Sequence, residues 1–270
     1  MRMSMFEKFW DWINQLSEEP TSVPSPPATV GSAPAPAPPV PPQPVALPIS
    51  TTAPAPPSSA IPTISADSET FIVNEETGGQ AYYEKTEMRP DWPGGMSGVT
   101  IGDGYDLGYS TKEDVAKDWG LYLAPNAVAA LQTVVGVHGS PAHSHAQELH
   151  WITIPWVAAQ AVFIGRDVPK WTAICAADLE NFAELPPTCR GMVVSIAFNR
   201  GDSWKIPANE DRTGRYVEMR DIKAHMAARE FNKIPADILS MRRLWPEGSD
   251  LWRRREHEAM TFQTALTKGN

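Results

Sequence analysis

The sequence predicts an α+β domain in which a small β-ribbon precedes a mainly helical lobe. Residues 98–108 contain four glycines among alternating hydrophobic and polar residues, which is typical of a short ribbon with sharp turns. After Ser110, hydrophobic residues recur at helical spacing, and Thr111 with Asp114 is a candidate capping box. The periodic segments are about 123–135, 155–165, 167–178, 187–199, 215–231 and 249–266.

The composition limits the classes of protein that fit. With 270 residues, 42% of them hydrophobic, the chain can form one sizeable core, and a second is not expected. The net charge of −9 argues against sequence-independent binding to nucleic acid. Cys175 and Cys189 are too few for a disulfide framework or a zinc quartet, and Cys175 is predicted to be a small core residue.

Residues 1–19 are predicted to form a short amphipathic helix. Its apolar positions recur at helical spacing and are Phe6, Phe9, Trp10, Ile13 and Leu16. The remaining charges are mixed, so the helix lacks the basic face of a typical membrane-surface helix. We therefore expect docking on a partner protein or on the rest of the chain, with membrane contact as the alternative.

Residues 20–66 are predicted to be a linker, and 67–270 the folded domain. Sixteen of the 27 prolines lie between Pro20 and Pro62, which favours an extended spacer, with an SH3-type ligand as the rarer alternative. No stretch approaches the roughly 18 apolar residues of a membrane span. The N-terminus also lacks a secretory signal, so we expect another agent to carry or release the protein.

The folded domain is predicted to begin with one helix and two or three short strands. Asp67 or Ser68 can cap this helix, which runs through Glu76 and ends at Gly78–Gly79. Glu76 lies four residues after Ile72 on the same face, so we expect a partly desolvated carboxyl with a raised pKa, suited to a general acid.

The ribbon supplies two further candidate groups, the Thr100 hydroxyl and the Asp106 carboxyl six residues later. Two carboxyls in different surroundings together with a hydroxyl suit the hydrolysis of a glycosidic bond. From spacing alone, a capping or solvated role for these acids remains the commoner alternative.

Three runs stand out around these residues: Glu76–Tyr83, Trp92–Gly95 and Ser97–Gly108. Together they resemble the pesticin-type lysozymes, which are relatives of the phage-type muramidases. Further runs resemble the family's Phe-Asn-x-Gly helix end and its C-terminal helices: Phe198–Gly201, Ile234–Pro235, Met241–Trp245 and Arg253–Ala259. The resemblance covers about residues 68–266, and its most specific part is the Thr-Ile-Gly-x-Gly ribbon.

The resemblance implies a lysozyme-like fold and a catalytic triad of Glu76, Thr100 and Asp106. Glu76 would be the general acid, while Thr100 and Asp106 would position and activate water or stabilise the oxocarbenium-like transition state. The phage-type pattern has an aspartate six residues before the threonine, where this chain has Gly94. We therefore follow the pesticin-type arrangement and prefer Asp106.

Three other acids are weaker candidates for these roles. Asp91 lies in a proline-flanked turn nine residues before the threonine. Asp103 is three residues from Asp106, which in a strand would put it on the opposite face. Glu75 is one residue away from the register of Glu76.

The substrate-binding candidates are Trp92, whose Pro-Gly-rich turn adjoins the ribbon, and Tyr105 on the ribbon itself. Trp92 could stack against a sugar ring at the edge of the cleft. The other tryptophans of the domain are mostly predicted to lie in the core.

Two charged clusters are predicted to be solvated. Arg253–Arg255 point around a helix and are expected to form local ion pairs with Glu256 and Glu258. Four histidines lie close together: His138, His143, His145 and His150. His145 and His150 are five residues apart, and on a helix such positions diverge by about 140°, so they would not share one metal-binding face. Three of the four histidines lie around a Gly-Ser-Pro segment, and we therefore interpret the group as solvated loop residues and not as a metal site.

The resemblance implies a muramidase that cleaves the β-1,4 bond between N-acetylmuramic acid and N-acetylglucosamine, as a monomer and without a metal or organic cofactor. Its partner would be the glycan strand of peptidoglycan, reached in the periplasm or cell wall after synthesis in a host cytoplasm. A phage endolysin is preferred over a secreted antibacterial effector. A lytic transglycosylase and a silent wall-binding module remain alternatives.

Overall fold

The computed structural model describes residues 61–269, which are mostly helical and include a two-stranded antiparallel sheet. This composition agrees with the α+β class. The predicted helix of residues 1–19 and the linker up to residue 60 lie outside the described residues. Within 61–269, no helix is long and apolar enough to span a membrane.

The ribbon divides the chain into a short helical part and a long one. Before it lie α1 (Ala66–Thr77) and α2 (Gln80–Thr86), and the ribbon is β1 (Thr100–Ile101) with β2 (Tyr105–Asp106). After it come α3 (Lys112–Trp119), α4 (Pro125–Gln132), α5 (Ser140–Glu148), α6 (Trp156–Val162), α7 (Val168–Asp178), α8 (Pro187–Arg200), α9 (Val217–Ala227), α10 (Ile234–Ser240) and α11 (Asp250–Lys268). A π-helical turn, Phe163–Asp167, joins α6 to α7.

Side-chain caps set two of the helix starts. The α1 cap is Ser65, whose hydroxyl accepts a hydrogen bond from the Ser68 amide, so the predicted caps at Asp67 or Ser68 are wrong by two or three residues. At α3, both hydrogen bonds of the Thr111–Asp114 capping box are present, which confirms that prediction.

The ribbon is held in a fixed register. Thr100 pairs with Asp106 and Ile101 with Tyr105, across a turn at residues 102–104. Asp91 forms an isolated bridge to the other edge of Thr100. Cross-strand partners share one face of a sheet, so the side chains of Thr100 and Asp106 leave the ribbon on the same side.

The hydrophobic residues form two cores, so the expectation of a single core is wrong. One core surrounds the ribbon and includes Val99, Leu107, Trp119 and Leu131. The other joins α1 to α7–α11, and it contains Cys175 as predicted. Helix α1 precedes the ribbon in sequence but packs in the second core with helices that follow it. The number of hydrophobic residues in the sequence does not indicate this arrangement.

A buried ion network holds α11 in the second core. Glu258 is fully buried and accepts hydrogen bonds from Ser195 Oγ at 2.6 Å, Arg254 Nε at 3.1 Å and Arg255 Nη2 at 2.8 Å. Arg254 also reaches Glu76 of α1. The network therefore links α1, α8 and α11.

The prediction that Arg253–Arg255 are solvated is wrong for two of the three arginines. Arg254 and Arg255 are 2% and 0% exposed, because α8 and α10 pack against α11. Arg253 remains exposed and lies 3.8 Å from Asp250. The predicted partner Glu256 instead pairs with Arg242.

Replacing Glu258 with glutamine tests this network. The substitution removes the carboxylate that pairs with buried Arg255 and one of the carboxylates that pair with buried Arg254, so we expect a loss of about 3 kcal/mol in the free energy of unfolding. Glu256→Gln is the matched control, because the Glu256–Arg242 pair is only half-buried and its loss should change stability by less than about 1 kcal/mol. Urea denaturation of both variants measures the difference, and equal stabilities would contradict the structural role of the network.

Candidate functional site

A cleft of about 570 Å³ lies between the two cores, a volume in the range of small-molecule binding sites. Its walls come from the end of α1, the segment 82–104 with the ribbon turn, the π-helical turn, and the end of α8 with the loop that follows. The charged residues that line it are Glu76, Glu87, Arg89, Asp91, Asp103, Asp167, Lys170, Arg200 and Arg215.

Glu76 presents its carboxyl to this cleft from the last turn of α1. Its side chain is 11% exposed, and Arg254 Nη2 donates a 2.8 Å hydrogen bond to its Oε1 atom. Burial raises the pKa of Glu76, and the opposing effect of Arg254 is smaller. Glu75 is 31% exposed and does not line the cleft, so Glu76 is the carboxyl that faces a ligand here.

Thr100 lines the cleft from β1. Its Oγ1 atom lies 3.5 Å from the Gly98 carbonyl, which is too long for a strong hydrogen bond. The hydroxyl is therefore poorly satisfied by the protein and can bind a water molecule or a ligand.

Asp106 lies directly across the ribbon from Thr100 but does not line the cleft. Its carboxylate accepts hydrogen bonds from the Gly108 amide at 2.8 Å and from the Gly98 amide at 3.0 Å. Burial raises the pKa of Asp106, and these two amides lower it. The contacts give Asp106 a structural role in closing the ribbon, and its predicted part in catalysis stays a prediction.

Asp103 is on the cleft wall, in the turn between the strands. The prediction that Asp103 lies on the opposite face from Asp106 is wrong, because residues 102–104 form a turn and not a continuous strand. Its Oδ2 atom is buried and has no hydrogen-bond donor within residues 61–269. Burial raises the pKa of Asp103 well above its usual range, and nearby Glu76 and Glu87 raise it further.

Asp91 also lines the cleft. Its amide donates a hydrogen bond to the Thr100 carbonyl, and its carbonyl accepts one from the Thr100 amide, which holds Asp91 beside the ribbon. Its side chain is exposed. The position of the phage-type acid is occupied by Gly94, at φ +105°, a backbone conformation that favours glycine.

The predicted substrate-binding residues lie outside the cleft lining. Trp92 donates a 3.0 Å hydrogen bond from Nε1 to the Ser97 carbonyl and packs against His143. Tyr105 is 2% exposed, and its hydroxyl bonds to Asp118 Oδ2 at 3.0 Å. Tyr105 therefore has no free surface for a sugar ring, and both aromatic residues support the ribbon from behind.

Other aromatic residues line the cleft in their place, and sequence reasoning assigned these tryptophans to the core. The set comprises Tyr82, Phe163, Trp171, Phe198, Tyr216 and Trp245. Their helical spacing is the same as that of core residues. The sequence did contain one indication that Phe198 and Trp245 belong to the cleft, because both lie in runs that resemble the lysozyme family.

The histidines are not loop residues as a group, which corrects that interpretation. His143 and His145 lie on α5, and His138 lies behind the ribbon near Asp106. Nδ1 of His138 is buried and has no hydrogen-bond partner within the described range. In the described part of the chain, no three His, Cys, Asp or Glu side chains are arranged to hold a metal ion.

Comparison with models of known protein families gives no match for this chain. A search of curated proteins likewise gives no significant match. The functional argument therefore depends on the residues of the cleft.

Gly98→Ala tests whether the ribbon requires close backbone contact. A Cβ atom at residue 98 would lie 2.4 Å from the Gly108 backbone nitrogen and 2.6 Å from Asp106 Oδ1. We expect a loss of about 1–3 kcal/mol in the free energy of unfolding. Gly165→Ala is the control, since its Cβ would have no neighbour within 4 Å. Thermal melting compares the two, and a neutral Gly98→Ala variant would refute the predicted clash.

Proposed function

We propose that this protein is a peptidoglycan hydrolase of the pesticin lysozyme type, a muramidase whose active site is the cleft beside the ribbon. The observation that carries the proposal is the Glu76 carboxyl, which lies at the cleft wall in a partly desolvated environment and shares that cleft with Thr100. The sequence resemblance assigns the same two residues to catalysis.

Glu76 has the properties of a general acid. A raised pKa keeps the carboxyl protonated to a higher pH than that of an exposed glutamate, so a proton is available for the leaving glycosidic oxygen. Arg254 fixes one carboxyl oxygen at 2.8 Å, which orients the group. Its positive charge also stabilises the carboxylate that remains after proton transfer.

The ribbon supplies the groups that act on water. The weakly bonded Thr100 hydroxyl can position a water molecule for attack on the anomeric carbon. Asp106 shares the face of Thr100 from behind the cleft wall, and its carboxylate orients Thr100 through the Gly98 peptide. Burial and the nearby Glu76 raise the pKa of Asp103 well above its usual range, which makes it a less favourable carboxylate base than Asp106.

The remaining cleft surface suits an N-acetylated glycan. Aromatic side chains, including Trp171 and Trp245, provide apolar surfaces on which the faces of sugar rings pack. Asn199 lines the same cleft, and its Oδ1 atom is buried without a hydrogen-bond donor among the described residues. The N–H group of an acetamido substituent would satisfy this acceptor.

The contacts of Asp106 favour a second candidate, a lytic transglycosylase. Because two backbone amides bind this carboxylate outside the cleft lining, hydrolytic water has less carboxylate assistance than in a site with two exposed acids. Transglycosylation requires the acid and no activated water. The two reactions yield different ends: reducing muramic acid from hydrolysis and anhydromuramic acid from transglycosylation.

In its biological context, we propose a phage endolysin, with a secreted antibacterial effector as the alternative. This choice rests on the relationship between the pesticin-type lysozymes, which the chain resembles, and the phage-type muramidases. A silent wall-binding module would have the same cleft without releasing muropeptides.

Glu76→Gln is the direct test of the function. The amide cannot donate an acidic proton, so we expect at least a thousandfold loss in the release of muropeptides from purified sacculi. Glu75→Gln is the matched control, because it makes the same change one residue away, outside the cleft lining. Mass spectrometry identifies the products, and thermal melting checks the fold of both variants.

Three outcomes are informative. Reducing muramic acid ends in the wild type, lost only in Glu76→Gln, support a muramidase. Anhydro ends would replace it with the transglycosylase. No muropeptide release by the wild type would refute both and favour the wall-binding module.

A second pair of variants assigns the second carboxyl. Asp103→Asn replaces a carboxyl group of raised pKa with an amide of the same shape, so we expect activity within about tenfold of wild type. Asp106→Asn removes the negative charge that accepts hydrogen bonds from the Gly98 and Gly108 amides and so orients Thr100, and we expect hydrolysis to be lost while the fold persists. The reverse ranking of the two initial rates would assign the role to Asp103.

A further inference from the structure

Arg200 is a buried cation in the cleft that forms no ion pair with a carboxylate of residues 61–269. It ends α8, lines the cleft and is 7% exposed. Its Nη2 atom donates to the Arg215 carbonyl, and its guanidinium lies 5.2 Å from the centre of the Tyr216 ring and 5.6 Å from that of Trp245. Its Nε–H has no acceptor within the described part of the protein.

The acids that could neutralise Arg200 are engaged elsewhere. Glu218 pairs with Arg243 at 2.6 Å, and Asp211 pairs with Arg220 at 3.0 Å. Burial, together with the charge of Arg215, lowers the pKa of Arg200 to about 10, so it remains a cation at neutral pH. A buried charge without a counter-ion is unfavourable, and an incoming anion would relieve this cost.

Arg215 adds a second cation to the same wall. It lines the cleft in the loop before α9, and its Nε atom is also buried and without an acceptor among residues 61–269. Two guanidinium groups with unused donors, on one cleft wall and close enough to affect each other's charge, form a site for an anion.

We infer that Arg200 and Arg215 form a subsite for a carboxylate carried by the glycan strand. This inference rests on the proposed function, because that function places an acidic glycan in the cleft. In a peptidoglycan strand every second sugar is a muramic acid, which bears a lactyl group with a carboxylate, whereas chitin-type strands are neutral. The carboxylate is either that of a free lactyl group or that of the peptide attached to it. The subsite makes the cleft selective for muramic-acid-containing strands over neutral ones.

Calorimetric titration tests the subsite in the full-length Glu76→Gln protein, which binds without turnover. Three ligands of equal sugar length are compared: neutral chitotetraose, the muramic acid tetrasaccharide with free lactyl groups, and the same tetrasaccharide with L-Ala-D-Glu on each lactyl group. We expect one or both acidic ligands to bind at least about tenfold more tightly than chitotetraose. The tighter acidic ligand identifies the source of the carboxylate.

Arg200→Gln and Arg215→Gln should each reduce this preference to less than about threefold without weakening the binding of chitotetraose. Arg212→Gln is the matched control, since it removes an exposed arginine of the same loop that does not line the cleft. Arg215 is less buried than Arg200, so its variant keeps the test valid if Arg200→Gln does not fold.

Equal affinities for neutral and acidic ligands, or a preference that both arginine variants retain, would overturn the inference and leave the proposed function intact. If none of the three ligands binds, the proposed function fails and the inference fails with it.

Discussion

The position of the candidate acid, Glu76, depends on two arginines of α11 that are buried in the core, Arg254 and Arg255. A guanidinium is expensive to bury, and Arg254 and Arg255 are tolerated because Glu258 lies beside them with no exposed surface. Arg254 binds Glu258 through Nε, and its Nη2 atom donates a hydrogen bond to Glu76 on α1. The first and last helices of the described residues, α1 and α11, are thus joined by an ion pair at the cleft wall, and the orientation of the Glu76 carboxyl follows from how α11 packs.

The ribbon faces a different constraint, which is the close contact of two backbone segments. Gly98 and Gly108 approach so closely that a single Cβ at residue 98 would overlap the opposing amide. Asp106 satisfies the amides of both glycines. The same contact holds Thr100 in register, so the geometry of the hydroxyl depends on glycines and on a carboxylate that lie behind the cleft wall.

Local patterns predicted much of the secondary structure. The end of α1, the ribbon, the capping box at Thr111 and the approximate bounds of α7, α8 and α11 follow from periodicity and from turn residues close in sequence. The burial of Arg254, the division into two cores and the cleft-lining tryptophans did not follow, because each depends on which helices pack together. The helix α5 was missed because its short Ser-Pro-His-rich sequence has little apolar periodicity.

The candidate site shows the same division between local and tertiary information. Glu76 and Thr100 were predicted from motifs, and both line the cleft, whereas Asp103 was ranked low by a strand rule that a tight turn does not obey. Within the cleft, Asp103 interacts with Glu76, and Arg200 interacts with Arg215. The cleft therefore combines two carboxyl groups with raised pKa values, Glu76 and Asp103, and two arginines, Arg200 and Arg215, whose Nε atoms have no acceptor among residues 61–269. These four residues come from four separate segments of the chain, so their meeting in one cleft depends on how the helices pack.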